Sequence, residues 1–185
     1  MRILLLALVL LFNVTTARAM SLDPGIAQPN FQYYWQGKGR TLVMLDHHGG
    51  NLYRELRNVG RARGSDYQVV MAGWIRSSGT LWLGLPKHRF CIMPDAIFMF
   101  HQGDTGGRPA LERDRQRYWN GLPRAVRDWI RRQQVPGWKK PDPETNLPWI
   151  DWIKVSGAEA VAAGFGRPCA PDTKVNIFGG SHSDG

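Results

Sequence analysis

In Ala96-Ile97-Phe98-Met99-Phe100-His101-Gln102-Gly103 a run of large apolar residues stops at a histidine and opens into a glycine-bearing loop. A short continuous apolar run bounded by turn signals predicts a strand buried on both faces. Here it would deliver an imidazole at its C-terminal end. Working outward, Thr41-Leu42-Val43-Met44-Leu45, Tyr67 to Ala72 and Arg89 to Ile92 read as further buried strands. Between them, Asn51 to Arg63 carries helical spacing at Leu52, Leu56 and Val59, and Ser77 to Leu85 reads as a helix start after a tight turn. Downstream, Pro109 to Asn120 and Pro123 to Gln133 predict two helices broken at Gly121-Leu122-Pro123, with proline near each start. Val135 to Pro148 is a proline-rich loop. Ser156-x-x-Glu159 fits a capping box ahead of Ala160 to Ala163, with Gly164 suited to the helix end. Strands alternating with helices predict an α/β fold with a largely parallel sheet.

Composition bounds the rest. With 185 residues, 43% apolar and 21% charged, the chain supports one domain with a core and is not disordered as a whole. Its 21 glycines and 12 prolines follow no period, which excludes collagen-like and repeat architectures. Two cysteines exclude a disulfide scaffold and a cysteine-rich zinc site. Arg2, the apolar run Ile3 to Phe12 and Ala17-Arg18-Ala19 read as a secretory signal peptide over residues 1–19, cleaved after Ala19. The run is short for a membrane span, which needs roughly 20 apolar residues, although an uncleaved anchor is the rival reading. Residues 20–40 then form an N-terminal arm, 41–177 the domain and 178–185 a flexible tail. Export to a periplasmic or extracellular space would let Cys91 and Cys169 pair; two separate buried thiols are the alternative.

Three pieces carry chemistry. Asp46-His47-His48-Gly49-Gly50-Asn51 is a glycine turn between a strand and a helix, where backbone N–H groups approach a ligand closely. Arg76-Ser77-Ser78-Gly79-Thr80 presents a hydroxyl on a strand-to-helix turn, with the next N–H able to hold an oxyanion. His101, at a strand end, can serve such a serine as base. Each has a plainer reading: a turn, an N-cap serine and a satisfied polar histidine.

In this order the pieces resemble the proteolytic subunit of the Clp protease, within the ClpP/crotonase superfamily. Leu45 to Gly50 lies where those proteases carry an Asn-Ser-Pro-Gly-Gly-like turn. Gly73 to Thr80 is similar to their Gly-x-Ala-Ala-Ser-Met-Gly-Ala stretch, and His88 to Ala96 to their Lys-Arg-Phe-x-Leu-Pro-Asn-Ser segment with one extra residue. Phe98 to Gln102 is similar to their Ile-Met-Ile-His-Gln, and Val155 to Phe165 to their Met-Ser-Ala-Glu-Glu-Ala helix. The resemblance covers about residues 41–103 and 149–166. It implies a spiral of β-β-α units with residues 108–148 as an arginine-rich helical insertion. It also implies Ser77 as nucleophile, His101 as general base, and the N–H groups of Gly50 and Ser78 as oxyanion hole. The third triad member would be Asp151, one residue out of register, where Trp152 would be expected; Asp142 and Asp128 are substitutes, and Ser78 is a rival nucleophile.

Several departures bear on activity. His47-His48 replaces Ser-Pro and reads as surface or turn residues, with a two-histidine metal site as a poor second; no metal or other cofactor is implied. Arg76 puts a bulky cation before the nucleophile, where it would damp the serine or read an acidic substrate group. The stretch 108–133 is rich in arginine, with Trp119, Trp129 and Ile130 on an apolar side. It reads as a solvated face, or as a surface for a partner or an anionic membrane; nucleic acid binding is disfavoured because no recognition motif accompanies the charge. The resemblance thus implies a serine peptidase acting on peptides or proteins and assembled as a homo-oligomer, while the leader implies export to a compartment without ATP, and so no ATPase partner. The competing reading is an inactive ClpP-like binding or assembly module. Thioester chemistry without a serine, and a Ser–Lys dyad through Lys38, Lys87 or Lys154, are weaker alternatives.

Overall fold

The computed structural model describes residues 41–104, 108–137, 140–149 and 151–173. The expected leader, arm and tail, and Lys38, lie outside them. Element order is β1 (Thr41–Met44), α1 (Leu52–Arg63), β2 (Gln68–Met71), β3 (Trp74–Arg76), a 3-10 helix (Ser77–Gly84), β4 (Phe90–Ile92), β5 (Ile97–Phe100), α2 (Glu112–Gly121), α3 (Arg124–Arg131), β6 (Ile153–Ser156), α4 (Gly157–Ala162) and β7 (Arg167–Pro168). The chain is a mixed α/β fold. Strands β1-β2-β4-β7 form a parallel sheet, and β3-β5-β6 form a second sheet in which β3 and β5 are parallel and β6 is antiparallel.

The strands foreseen from apolar runs are buried as such runs require: Leu42, Val43 and Met44 face protein on both sides of their sheet. One side meets the main core, which includes Trp82, Phe90, Phe98 and Phe100. On the other, among the described residues, Val43, Leu45, Val70, Ala72 and Cys91 form a second cluster, with Met93 and Cys169 packed on it. Strands β3, β6 and β7 were not anticipated; each carries a charged residue, Arg76, Lys154 or Arg167, where the foreseen strands are almost continuous apolar runs. The helix anticipated from Ser77 is 3-10 rather than α, and its residues from Ser78 to Leu83 are all buried.

Helices α2 and α3 pack their apolar sides inward. Trp119 is buried, and Trp129 meets Phe165 edge-on at 5.6 Å. The tryptophans pictured as a membrane-facing side therefore belong to the core. Several arginines of this pair are engaged locally: Arg124 and Arg131 with Asp128, Arg115 with Glu112, and Arg131 over the Trp119 ring. Among the described residues no helix is long and apolar enough to cross a membrane. The capping box at Ser156 and Glu159 is formed in both directions.

Candidate active site

Two neighbouring parallel strands set the site. Strands β3 and β5 are paired with Arg76 opposite Met99. The residues that follow each strand therefore emerge side by side at the C-terminal edge of the sheet. These are Ser77 and His101. Ser77 Oγ lies 2.7 Å from His101 Nε2. Ser77 adopts φ +49°, a left-handed conformation that L-residues rarely hold, so the turn presents its hydroxyl at a cost in backbone strain. Thr80 Oγ1 donates to the Ser77 carbonyl at 2.7 Å and shares a 2.8 Å hydrogen bond with the Tyr118 hydroxyl, which fixes the turn from behind.

The glycine turn closes over this pair. A Cβ on Gly49 would come within 2.7 Å of Ser77 Cβ, so only glycine allows the approach. Gly50 follows at φ +135°, and its carbonyl accepts from Ser78 Oγ at 3.2 Å. Ser78, the rival nucleophile, is thus buried and already committed as a donor. Among the described residues, neither the Gly50 N–H nor the Ser78 N–H has an acceptor. Both residues line a cavity of about 480 Å³ together with Ser77, His101, Asp104 and Trp152.

The third triad position is where the structure departs from the sequence reading. Strands β5 and β6 pair Phe98 with Val155, Met99 with Lys154 and Phe100 with Ile153. One step further sets His101 against Trp152. The two rings meet there, with centroids 4.0 Å apart and planes inclined at 38°. Asp151 stands in a bend one residue before that position, outside β6. Asp151 Oδ1 accepts its neighbour's N–H, from Trp152, at 2.7 Å. Among the described residues the His101 side chain has one hydrogen bond, to Ser77. The substitutes fare no better: Asp142 caps a turn at Glu144 and Thr145, and Asp128 pairs with arginines on exposed α3. Neither lines the cavity, and nor do Lys87 and Lys154.

Burial pushes the His101 imidazole down to about 4, and the charge of Asp104 pulls in the opposite direction. Asp104 was not foreseen; its only signal was an acid three residues beyond the histidine. Arg76 does not enter the cavity. Its guanidinium lies 4.9 Å from the centre of the Trp74 ring. Of the histidine pair, His48 lines the cavity, whereas His47 is fully buried rather than at the surface. Among the described residues no group of three or more His, Cys, Asp or Glu side chains is placed to hold a metal. Cys91 and Cys169 are joined as a disulfide, with Cα atoms 4.8 Å apart.

No family model matches the chain, and no curated protein matches it. Among solved structures similar to it is the catalytic domain of the ClpP protease from Plasmodium falciparum. That domain is 15% identical, the match covering 75% of this chain and 73% of that one with a TM-score of 0.47. From the site alone, the chemistry on offer is nucleophilic. A hydroxyl sits within hydrogen-bonding reach of a neutral imidazole, next to two backbone donors and an open cavity.

Proposed function

We propose that the chain is an exported serine peptidase of the ClpP-like type, with residues 108–148 inserted into a spiral of β-β-α units, acting without an ATPase. The observation that carries the reading is the 2.7 Å contact between Ser77 Oγ and His101 Nε2 beside the N–H groups of Gly50 and Ser78, which have no acceptor among the described residues. Ser77 Oγ attacks the acyl carbon while His101 Nε2 takes its proton. The carbonyl oxygen becomes an oxyanion and is held by the two N–H groups. As the tetrahedral intermediate collapses, His101 returns the proton to the leaving amine. Water, deprotonated by the same imidazole, then releases the acyl group from Ser77. Export is supported by the leader at residues 1–19 and by the Cys91–Cys169 bond, which persists in an oxidising compartment.

One observation favours a second reading, an inactive binding or assembly module: the position opposite His101 holds Trp152, not a carboxylate. A fluorophosphonate probe on the purified protein separates the two. The peptidase reading expects labelling of wild type that is lost in both Ser77→Ala and His101→Ala. A folded wild type that takes no label overturns it in favour of the binding module.

A further inference from the structure

Behind the catalytic turn lies a buried polar chain that the peptidase reading does not use. His47, Glu55 and Trp82 are each wholly inaccessible to solvent. His47 Nδ1 accepts the N–H of Gly49 at 2.9 Å. His47 Nε2 and Trp82 Nε1 both lie 3.1 Å from Glu55 Oε2. Arg54 Nε stands 3.8 Å from the other carboxylate oxygen. These residues come from three separate pieces of chain: the glycine turn, α1, and the 3-10 helix that begins at Ser77.

The hydrogen-bond directions fix the tautomer. An N–H can only donate, so Nδ1 of His47 must present a lone pair to Gly49. The ring proton of the neutral imidazole is then on Nε2, facing a carboxylate that can only accept. A buried carboxylate is costly unless donors surround it. Glu55 obtains two, from His47 and Trp82, and thereby fixes the ring whose far nitrogen engages Gly49. The ring has no slack. A Cβ on Gly79 would fall 2.7 Å from His47 Cγ, and one on Gly49 would fall 2.7 Å from Ser77 Cβ. With the Gly49 N–H drawn inward to the imidazole, the next N–H, that of Gly50, is the one left without an acceptor at the cavity.

We propose that His47, held by Glu55 and Trp82, is the positioning residue for the oxyanion donor of Gly50. The proposal rests on the serine-peptidase reading for its kinetic consequence, but not for its structural one. An asparagine at position 47 can place its amide oxygen near the site of Nδ1 and keep the Gly49 hydrogen bond. A glutamine places its amide near Nε2, keeps the Glu55 contact and leaves Gly49 without an acceptor. The two variants therefore separate the hold on the turn from the filling of the core.

The experiment measures fluorophosphonate inactivation of the full-length protein and of His47→Asn and His47→Gln, alongside amide hydrogen exchange at Gly49. In His47→Gln the maximal inactivation rate falls about 10²–10³-fold, the scale of losing one oxyanion donor, while the half-saturating probe concentration is unchanged. His47→Asn stays within about tenfold of wild type, the residual cost of a weaker acceptor in the same place. The Gly49 amide is protected in wild type and His47→Asn and exchanges freely in His47→Gln. Equal inactivation rates in all three folded proteins overturn the proposal, and so does a Gly49 amide equally exposed in all three. If wild type takes no probe, the peptidase reading fails, and Gly49 exchange still decides whether His47 holds the turn. Should both variants fail to fold, ring nitrogen shifts in wild type decide: the proposal requires His47 Nδ1 unprotonated and coupled to the Gly49 amide, and the opposite tautomer overturns it.

Discussion

Among the described residues, His101 has no carboxylate hydrogen-bonded behind it. Burial disfavours its charged form and sets it at about 4, against an ordinary value of 6.5. A base lowered in this way is deprotonated over the whole neutral range, so the rate of serine labelling should hold from pH 8 down to about pH 5 and be halved near pH 4. In Asp104→Asn the attraction that favours the imidazolium is gone, and the same limb should move to still lower pH. A limb that stays in place would show that Asp104 does not act on the imidazole. The same shift bears on stability. The unfolded chain takes up a proton near pH 6.5 and the folded one only near 4. Stability is therefore complete above pH 6.5 and falls, on the order of 3 kcal/mol, as pH drops toward 4. Trp152→Asp supplies the missing carboxylate at the position that faces the ring. It should raise the acid limb toward the neutral range and speed labelling at pH 7 by roughly tenfold or more, since a more basic imidazole takes the serine proton more readily. A mutant with an unmoved limb would show that position 152 does not reach His101. At this scale His101 was readable because it ends an apolar strand at a turn, and Ser77 because it opens a glycine-bearing turn ahead of an apolar run. Asp151 misled because the register of β6 is not written in its own residues, and His47 misled because a buried histidine and a surface one look alike until the ring's partners, 8 and 2 residues away, are known.

At the scale of elements, apolar runs and helix signals were legible, and strands interrupted by a charge were not. Helix α1 announced itself through its apolar spacing, and the structure adds the Asn51 cap, whose Oδ1 accepts from the Arg54 N–H; α4 announced itself through its capping box. Strands β3 and β6 have three and four residues, and what makes them strands is their partnership with β5. Close packing between such elements gives two glycines opposite roles. Gly157 opens α4 where a Cβ would lie 1.9 Å from the Met93 carbonyl oxygen, a backbone atom that cannot rotate away. Gly157→Ala must separate α4 from the end of β4 and should cost about 3 kcal/mol or more, read as a lower urea midpoint. Gly60 lies within α1, and nothing stands within 4 Å of the place a methyl group would take there. Gly60→Ala should raise stability by about 1 kcal/mol, through the helix propensity of alanine alone. If both substitutions moved the midpoint equally, the packing of α4 against β4 would not be as described.

Across the whole molecule, the two sides of the parallel sheet pack differently. Among the described residues one side meets the aromatic core, and the other has the cluster of Val43, Leu45, Val70, Ala72 and Cys91. The disulfide crosses this second side. It ties β4 to the segment after β7, where the Cys169 N–H also donates to the Ile92 carbonyl at 3.0 Å. The two cysteines are 78 residues apart in sequence, so the bond closes a long loop in the unfolded chain. Chain-entropy arguments put the stabilisation from such a closure at roughly 4 kcal/mol, a large part of what a single domain has in total. The effect compounds here, because releasing Cys169 also uncovers Cys91 and its apolar neighbours. Thermal unfolding should therefore occur at a clearly lower temperature in excess dithiothreitol than in its absence, and the Cys91→Ser, Cys169→Ser double variant should match the reduced protein. The double variant must also be insensitive to reductant, since no other cysteine is present to respond. Identical midpoints with and without reductant, in a protein shown by thiol titration to have been oxidised at the start, would mean that the bond does not support the fold.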